Sequence, residues 1–580
     1  MKVTVLEKIP EDPAFILDWN NLVFRMERPE VFFTHQWALA ASRAFSASLR
    51  PLIFTAYEGG RLCGVAALAV APVPPHAAIF LTASTADYCD IISEPETRTA
   101  VLTAVLEEMR KLNIRDLVLA NVPAQSHTLH GLAAAAGSHG FYLYERAAYD
   151  CGIISLGDKE QRQIILRHVM RKKNERHGLK KLGQFGPVRL THLSAEQLEI
   201  GLDSIFAAHI SRFLTANRLS PLIRSDRRFF LMELGKLLSS AGWMKVSQLE
   251  VNGRPVAWNY GFRFFDSWFW YLPTFDMDYE EPSPGCCLLR LLTEEACADP
   301  SVKRLDLGLG VEAYKMRFSN AVCSTRYVQL SMSLPRHLGN AGRHWLASTF
   351  IKFPTMEKQL RNGRELLLGL QSRIGETGAV ATAGQALTRA KRSLFRQDKI
   401  TIFEAPRFDA LHVKTAESEN MALEPLNWKH IACSAMSNAD DGPTLEYLSR
   451  CAERMKGGRA AGYCLLGQAT VPAHFLWVGL YNGFELQEID SKLESSDLSA
   501  VMLFDCWTPA AERGNGHYVT AIRMAAAYLQ KQQRQVWILS TAENEPCVQG
   551  ILEAGFVYRF SLVRNTKLVY STLSRRESTN

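Results

Sequence analysis

Asp306, Glu312, Tyr314 and Lys315 lie close together in the chain, and each can move a proton or hold a charge. Asp306 belongs to a strand-like run, Lys303-Arg304-Leu305-Asp306-Leu307-Gly308, and the other three follow it. Polar groups at a strand end are where α/β folds place chemistry. Ahead of that strand comes the turn Pro282-Ser283-Pro284-Gly285, then the apolar run Cys286-Cys287-Leu288-Leu289-Arg290-Leu291-Leu292 with helical spacing. Pro284 suits a first helical turn, because its missing N–H would be unsatisfied there anyway. Gly285 removes a side chain where backbone could approach a ligand. Free amides and the helix dipole make Ser283–Cys287 a candidate anion site, with phosphate or pyrophosphate the natural anion. An ordinary β-turn-α-β unit with a solvated polar loop fits the same spacing, since short turn motifs often match by accident.

The elements that must position these residues alternate strand and helix signals. Leu52–Tyr57 and Leu62–Val70 are apolar runs joined by the hairpin signal Glu58-Gly59-Gly60. Thr97–Leu112 has helical periodicity and Arg115–Ala120 reads as a buried strand. Further on, Glu196–Thr215 and Arg227–Ala241 read as amphipathic helices. Met244–Val251, Asn252-Gly253, Val256–Phe264 and Ser267–Tyr271 then form an antiparallel meander that leads into the Ser283 turn. Gln161–Lys181 is a basic helical stretch containing Arg162, Arg167, Arg171, Lys172, Lys173, Arg176, Lys180 and Lys181. It is either a solvated face or an attractor of an anionic substrate.

The chain has 580 residues, enough for several domains, and an ordinary globular composition. Its net charge of +7 is weak evidence for nucleic acid at this length. The 12 cysteines include no C-x-x-C pair and no zinc spacing, which points to reduced structural thiols and no metal. Met1–Pro10 is charged and lacks an apolar core, so a cytoplasmic protein without a signal peptide is expected. Residues 336–400 hold 12 Lys/Arg against 4 Asp/Glu. They read as a basic helical linker, or as a contact for an anionic membrane surface or a polymer-synthesis partner.

Ser-Pro-Gly before an apolar helix, followed by Asp306-x-Gly308-x-Gly310-x-Glu312-x-Tyr314-Lys315-x-x-Phe318, resembles the acetyltransferase family of cellulose and exopolysaccharide biosynthesis, the CelD/BcsL type. That family belongs to the GNAT superfamily and is related to the Fem-type peptidyltransferases. The resemblance covers roughly residues 1–335. It implies an α/β (α+β) fold with GNAT-like mixed central sheets flanked by helices. Two tandem halves are expected, 1–160 and 161–335, then the linker 336–400 and a further GNAT-like domain at 401–580.

In that last segment Arg513, Gly514, Asn515 and Gly516 stand at the family's coenzyme loop, and Asn544 and Gly555-Phe556 match other family positions. Tyr518 and Ile551 depart from the pattern. Tyr518 stands where a small residue lets the pyrophosphate approach, and Ile551 where a general-acid Tyr is usual. A degenerate or regulatory domain is therefore as consistent as an active one.

The implied chemistry is acyl transfer from acetyl-CoA or another acyl-CoA to an amine or hydroxyl, with no metal. The acceptor would be a small molecule or a saccharide. The resemblance puts the coenzyme at Ser283, Pro284, Gly285 and Cys286. It makes Asp306 or Glu312 a base, Tyr314 an acid and Lys315 a charge partner. A Fem-like aminoacyl-tRNA-dependent transferase and a non-catalytic scaffold are the alternatives.

Overall fold

The structure is a computed structural model that describes residues 1–71, 77–339, 342, 395–407, 421–467, 470–567 and 570–577. Most of the basic segment expected at 336–400 lies outside the described residues. Two units are distinguished: Met1–His209 with Arg224–Thr349, and Ile210–Ile223 with Phe350–Asn580.

The first unit opens with β1 (Lys2–Leu6), α1 (Pro13–Phe24), α2 (His35–Ala44), β2 (Arg50–Glu58), β3 (Arg61–Val70) and β4 (Ala78–Phe80). It continues with β5 (Ile92–Ser93), α3 (Arg98–Lys111), β6 (Asp116–Pro123), α4 (His127–Ser138) and β7 (Tyr142–Ser155). Two helices follow, α5 (Lys159–Met170) and α6 (Lys173–Leu182). Then come β8 (Val188–His192), α7 (Ala195–Thr215, of which the residues from Ile210 on are counted with the second unit), α8 (Ser225–Ser240), β9 (Met244–Val251), β10 (Arg254–Phe264) and β11 (Ser267–Phe275). The last elements are α9 (Pro284–Ala298), β12 (Arg304–Leu309), α10 (Ala313–Phe318) and β13 (Ala321–Ser331). Apart from the short β5, the order β-α-α-β-β-β-α-β-α-β occurs twice, from β1 to β7 and from β8 to β13.

The second unit runs β14 (Phe395–Glu404), β15 (Ala422–Pro425), α11 (Trp428–Ser437), α12 (Gly442–Gly457), β16 (Ala461–Leu466) and β17 (Pro472–Leu480). After the small ribbon of β18 (Glu485–Leu486) and β19 (Ser491–Lys492) come β20 (Val501–Trp507), α13 (His517–Lys531), β21 (Val536–Thr541), α14 (Glu545–Glu553), β22 (Val557–Lys567) and β23 (Tyr570–Glu577). From β15 to β22, with the ribbon set aside, this is a third copy of the same order.

Local chemistry explains many of the elements. Gly59-Gly60 and Asn252-Gly253 all take positive φ, so each forms a primed hairpin turn matching the twist of its strands. Pro284 occupies the first position of α9, after Ser283 in the left-handed region at φ 54. The helix buries Cys287, Leu288, Leu289, Leu292 and Ala296 against β10 and β11, in a core that also holds Leu305 and Leu307 of β12. Each fully buried Leu there contributes roughly 1.5–3 kcal/mol. The basic stretch is two helices rather than one, and Arg162 turns inward. Its guanidinium donates to the carbonyls of Ala296, Asp299 and Val302 at 3.1, 2.7 and 2.5 Å, capping the end of α9 and the approach to β12.

Pairing makes one sheet of the two halves. Its order is β1-β2-β3-β4-β6-β13-β7-β12-β11-β10-β9-β8, with β5 on the side of β3. Strand β13 lies between β6 and β7, and β7 lies between β12 and β13, so the halves exchange their last strands. In the second unit β14 fills the equivalent slot between β21 and β22. Each of the three copies thus receives a strand from outside itself between its fifth and sixth strands.

Candidate active site

Register slips of one residue mark β-bulges on several strands of the first unit, β3 and β10 among them, and four others lie near one another. On β6 the extra residue falls at Ala120–Asn121, with Asn121 at φ 58. On β7 it falls at Ala148–Tyr149, on β11 at Trp270–Tyr271, and on β12 at Leu307–Gly308, with Gly308 at φ 71. Bulges re-aim side chains and release backbone groups from the ladder. All four meet at one cavity of about 670 Å³, whose lining includes Ala120, Asn121, Ala148, Tyr149, Tyr271 and Leu309. Thr85, Asp87, Arg146 and Tyr327 complete its polar wall. The parallel pairing of β11 with β12 stops at Phe269 and Asp306, so the two strands diverge from there.

Asp87 is the titratable group most strongly tuned for proton transfer in this cavity. Burial raises its carboxyl, the nearby Asp306 charge raises it further, and Lys315 only partly offsets both, so it is pushed up to about 7. Among the described residues no hydrogen bond reaches its side chain. Gly308 explains how the carboxylate sits so close to β12: a Cβ there would stand 2.6 Å from Asp87 Oδ2. Tyr271, whose hydroxyl donates to the Thr85 carbonyl at 2.6 Å, holds the loop that carries Asp87.

The residues expected from the sequence surround this cavity without lining it. Asp306 is fully buried, and its carboxylate accepts from Tyr88 at 2.9 Å, Arg28 at 3.2 Å and the Gly308 N–H at 2.9 Å. Arg28 also pairs with Glu30, which accepts from Arg304 at 2.7 Å. Burial pushes the Glu30 carboxyl up although two guanidiniums pull it down. Arg28, Glu30, Tyr88 and Arg304 are thus one buried network around Asp306, built for position. Lys315 donates to the Leu309 carbonyl at 2.6 Å and pairs with Glu312 at 3.0 Å, closing the end of β12. Tyr314 packs in the core beneath α9 and accepts from Trp270 Nε1 at 3.4 Å.

The Ser283 turn offers fewer amides than its sequence promises. The Cys286 and Cys287 N–H groups both fold back onto the Ser283 carbonyl, at 3.0 and 3.2 Å, and Pro284 has none. Gly285 is left as the first-turn donor not turned back onto Ser283. A Cβ at Gly285 would meet Phe275 at 3.6 Å, an ordinary contact, so packing within the chain does not demand glycine there. Positive charge stands near the turn. Arg317 acts on the Cys286 thiol, and Lys181 pairs with Glu281 at 2.5 Å. Packing of α6 on the turn requires Gly178, where a Cβ would collide with the Pro282 carbonyl and come within 2.8 Å of Cys287 Sγ. Gly178→Ala should therefore lower stability by about 1–3 kcal/mol through overpacking. Denaturant unfolding checks this, and an unchanged midpoint would mean that α6 slides freely over α9.

The equivalent turn of the third copy is more open. Gly514 and Gly516 take φ 84 and 75, and a Cβ at either would meet nothing within 4 Å. Thr520 N–H closes onto the Gly516 carbonyl at 3.1 Å, so the His517, Tyr518 and Val519 amides precede the first helical bond of α13. Arg513 donates to the Thr508 carbonyl at 3.1 Å and lies over the Trp507 ring. Asn544 caps α14 by accepting from Cys547 N–H at 3.3 Å. Strand β20 has its own bulge at Asp505–Cys506, matching the one on β11. Tyr518 turns inward onto Gly550 with its hydroxyl 3.1 Å from Cys547 Sγ, while Ile551 is core. Burial lowers His474 to about 3, so it stays neutral. The third copy thus presents an anion-ready turn, with the His517 ring 3.1 Å from the Glu512 carboxylate beside it.

Residues 170–316 match the model of the family described as the acetyltransferase (GNAT) domain. That match covers β8 to β12, with α9 and its turn, about a quarter of the chain. Among solved structures the chain is similar to FemX, with 10% identity and a TM-score of 0.41, over 57% of this chain and 97% of that one. It is also similar to a tandem GNAT protein from the clavulanic acid biosynthesis pathway, with 13% identity and a TM-score of 0.34, over 56% and 98%. A conserved protein of unknown function from Bacteroides thetaiotaomicron matches at 13% identity and a TM-score of 0.36, over 55% and 97%. No curated protein matches. Among the described residues no helix is long and apolar enough to cross a membrane, and no His/Cys/Asp/Glu group could hold a metal ion.

Sequence reasoning missed Asp87, Tyr88, Arg28 and Arg146. The available signal was Thr85-Ala86-Asp87-Tyr88-Cys89-Asp90, a titratable cluster just after an apolar strand.

Proposed function

We propose that the first unit transfers an acyl group from a coenzyme-A thioester to an amine or hydroxyl of an acceptor in the four-bulge cavity. The observation that carries this reading is Asp87, a carboxyl poised at about 7 in a cavity beside the diverging β11 and β12. A general base works best when its pKa lies near the working pH. Asp87 takes the acceptor's proton as its nitrogen or oxygen attacks the thioester carbonyl. The C–S bond breaks as the new acyl bond forms, and the departing thiolate takes up the proton that Asp87 removed, directly or through water. An N–H freed by the bulge at Trp270–Tyr271 is suited to stabilise the oxyanion. Ser283, Pro284, Gly285 and Cys286 hold the coenzyme phosphates, with Arg317 close by. Asp306, Lys315 and Glu312 position the end of β12, and Tyr314 supports Trp270. The acceptor is a small molecule or a saccharide, in keeping with a role in exopolysaccharide or cell-envelope synthesis in the cytoplasm.

Calorimetric titration of acetyl-CoA into the full chain tests the coenzyme assignment. Gly285→Asp puts a carboxylate on the α9 turn without a packing clash, and should abolish binding by the first unit. Gly516→Asp should remove a separate event if the third copy also binds. Unchanged affinity in Gly285→Asp, with loss only in Gly516→Asp, would move the coenzyme to the second unit. No binding by the wild-type chain would sink the acyl-CoA reading.

A further inference from the structure

Arg146 is a cation in the cavity wall. It is the cross-strand partner of Tyr327, and its guanidinium lies 4.4 Å from the centroid of that ring. One N–H group donates to the Ala147 carbonyl at 3.0 Å. Among the described residues no acidic side chain pairs with it, whereas Arg326 beside it pairs with Glu145 at 3.5 Å. The bulge at Ala148–Tyr149 brings Tyr149 to the same wall. The other charge in the wall, Asp87, is shaped by Asp306, Lys315, Glu30 and Glu312 rather than by Arg146. The cavity thus carries a base at one place and a preorganised cation at another.

A guanidinium is a rigid planar fork of N–H groups, and one placed over an aromatic ring keeps N–H groups for a carboxylate or a phosphate. We infer that the acceptor carries an anionic group, carboxylate or phosphate, that Arg146 binds while its amine or hydroxyl faces Asp87. Arg146 is then a specificity residue, remote from the reacting atoms. This rests on the acyl-transfer reading of the same cavity.

The test uses the full chain, acetyl-CoA and release of free coenzyme thiol, with two matched pairs of amine acceptors. Tyrosine against tyrosinamide differs by a carboxylate, and glucosamine 6-phosphate against glucosamine differs by a phosphate. The anionic member of at least one pair should show a kcat/KM at least roughly tenfold higher. Arg146→Ala should bring that pair close to equality through KM, with kcat little changed, and Arg146→Lys should keep part of the preference. The pair that responds identifies the anion. Equal values within both pairs, or a preference that survives Arg146→Ala, would overturn the inference and leave acyl transfer standing. If neither pair turns over, calorimetric titration of tyrosine and glucosamine 6-phosphate decides. Binding lost in Arg146→Ala supports the inference, and absence of binding to the wild-type chain overturns it. Acetyl-CoA binding, measured separately, tells that failure from failure of the acyl-transfer reading.

Discussion

Asp87→Asn should lower kcat of the acyl-transfer reaction by roughly 10²–10⁴-fold, the usual contribution of a positioned general base. The substitution keeps the shape of the side chain and removes its titration. The wild-type kcat/KM should rise with pH through about 7, where Asp87 loses its proton, and level off above. In Asp87→Asn that limb should vanish while acetyl-CoA affinity stays unchanged. Stability should move the other way. Because the folded carboxyl is raised above its unfolded value, the folded state binds the proton more tightly. The wild-type chain therefore loses stability as pH rises from about 4 towards about 7. Asp87→Asn should flatten this slope and be the more stable protein near pH 8. An intact pH limb in the variant would remove Asp87 as the base and return that role to Asp306 or Glu312.

Much of the scaffold for this chemistry was legible in local sequence. The paired positive-φ hairpins, the proline-started helix α9 and the meander before it each depend on residues adjacent in the chain. The exchange of β7 and β13 was not legible, because strand order is fixed by pairing between residues more than a hundred positions apart, such as Cys151 with Cys323. The bulges were hidden for the same reason: a bulge is a property of two registers, and no residue type marks Ala148 or Leu307 as extra. Asp87 therefore could not be ranked. Its carboxyl is tuned by Asp306 and Lys315, which reach it only once β12 is folded beside the loop after β4. Arg162 shows the opposite error. Its sequence context is a charged helix face, yet packing against the end of α9 turns it into the interior.

The first copy of the fold shows what happens when the helix-start region is closed from within, and it supplies the second large prediction. Arg98, the first residue of α3, is fully buried. Its guanidinium donates to the Ser93 carbonyl at 2.6 Å and to Thr128 Oγ1 at 2.9 Å, and pairs with Glu27 at 3.0 Å and Asp90 at 3.4 Å. Asp90 in turn accepts from Ser126 at 2.6 Å and from the Ile91 N–H at 2.8 Å. The chain thus places its own cation and carboxylates where α9 presents an open turn. Arg98→Met keeps an unbranched stem but removes the guanidinium, leaving Asp90 buried without its counter-charge. Removing one partner of a buried pair typically costs about 3–5 kcal/mol. Burial already raises the Asp90 carboxyl while Arg98 holds it down, so loss of Arg98 raises it further. A carboxyl raised in the folded state destabilises as pH rises, and protonation relieves it. The deficit of Arg98→Met, read from denaturant midpoints, should accordingly be largest near pH 8 and narrow towards pH 5. Adding Asp90→Asn should recover part of it at pH 8. A deficit under about 1 kcal/mol, the range of an exposed ion pair, would mean that water reaches the cluster and that the first copy's helix start is as open as the second's.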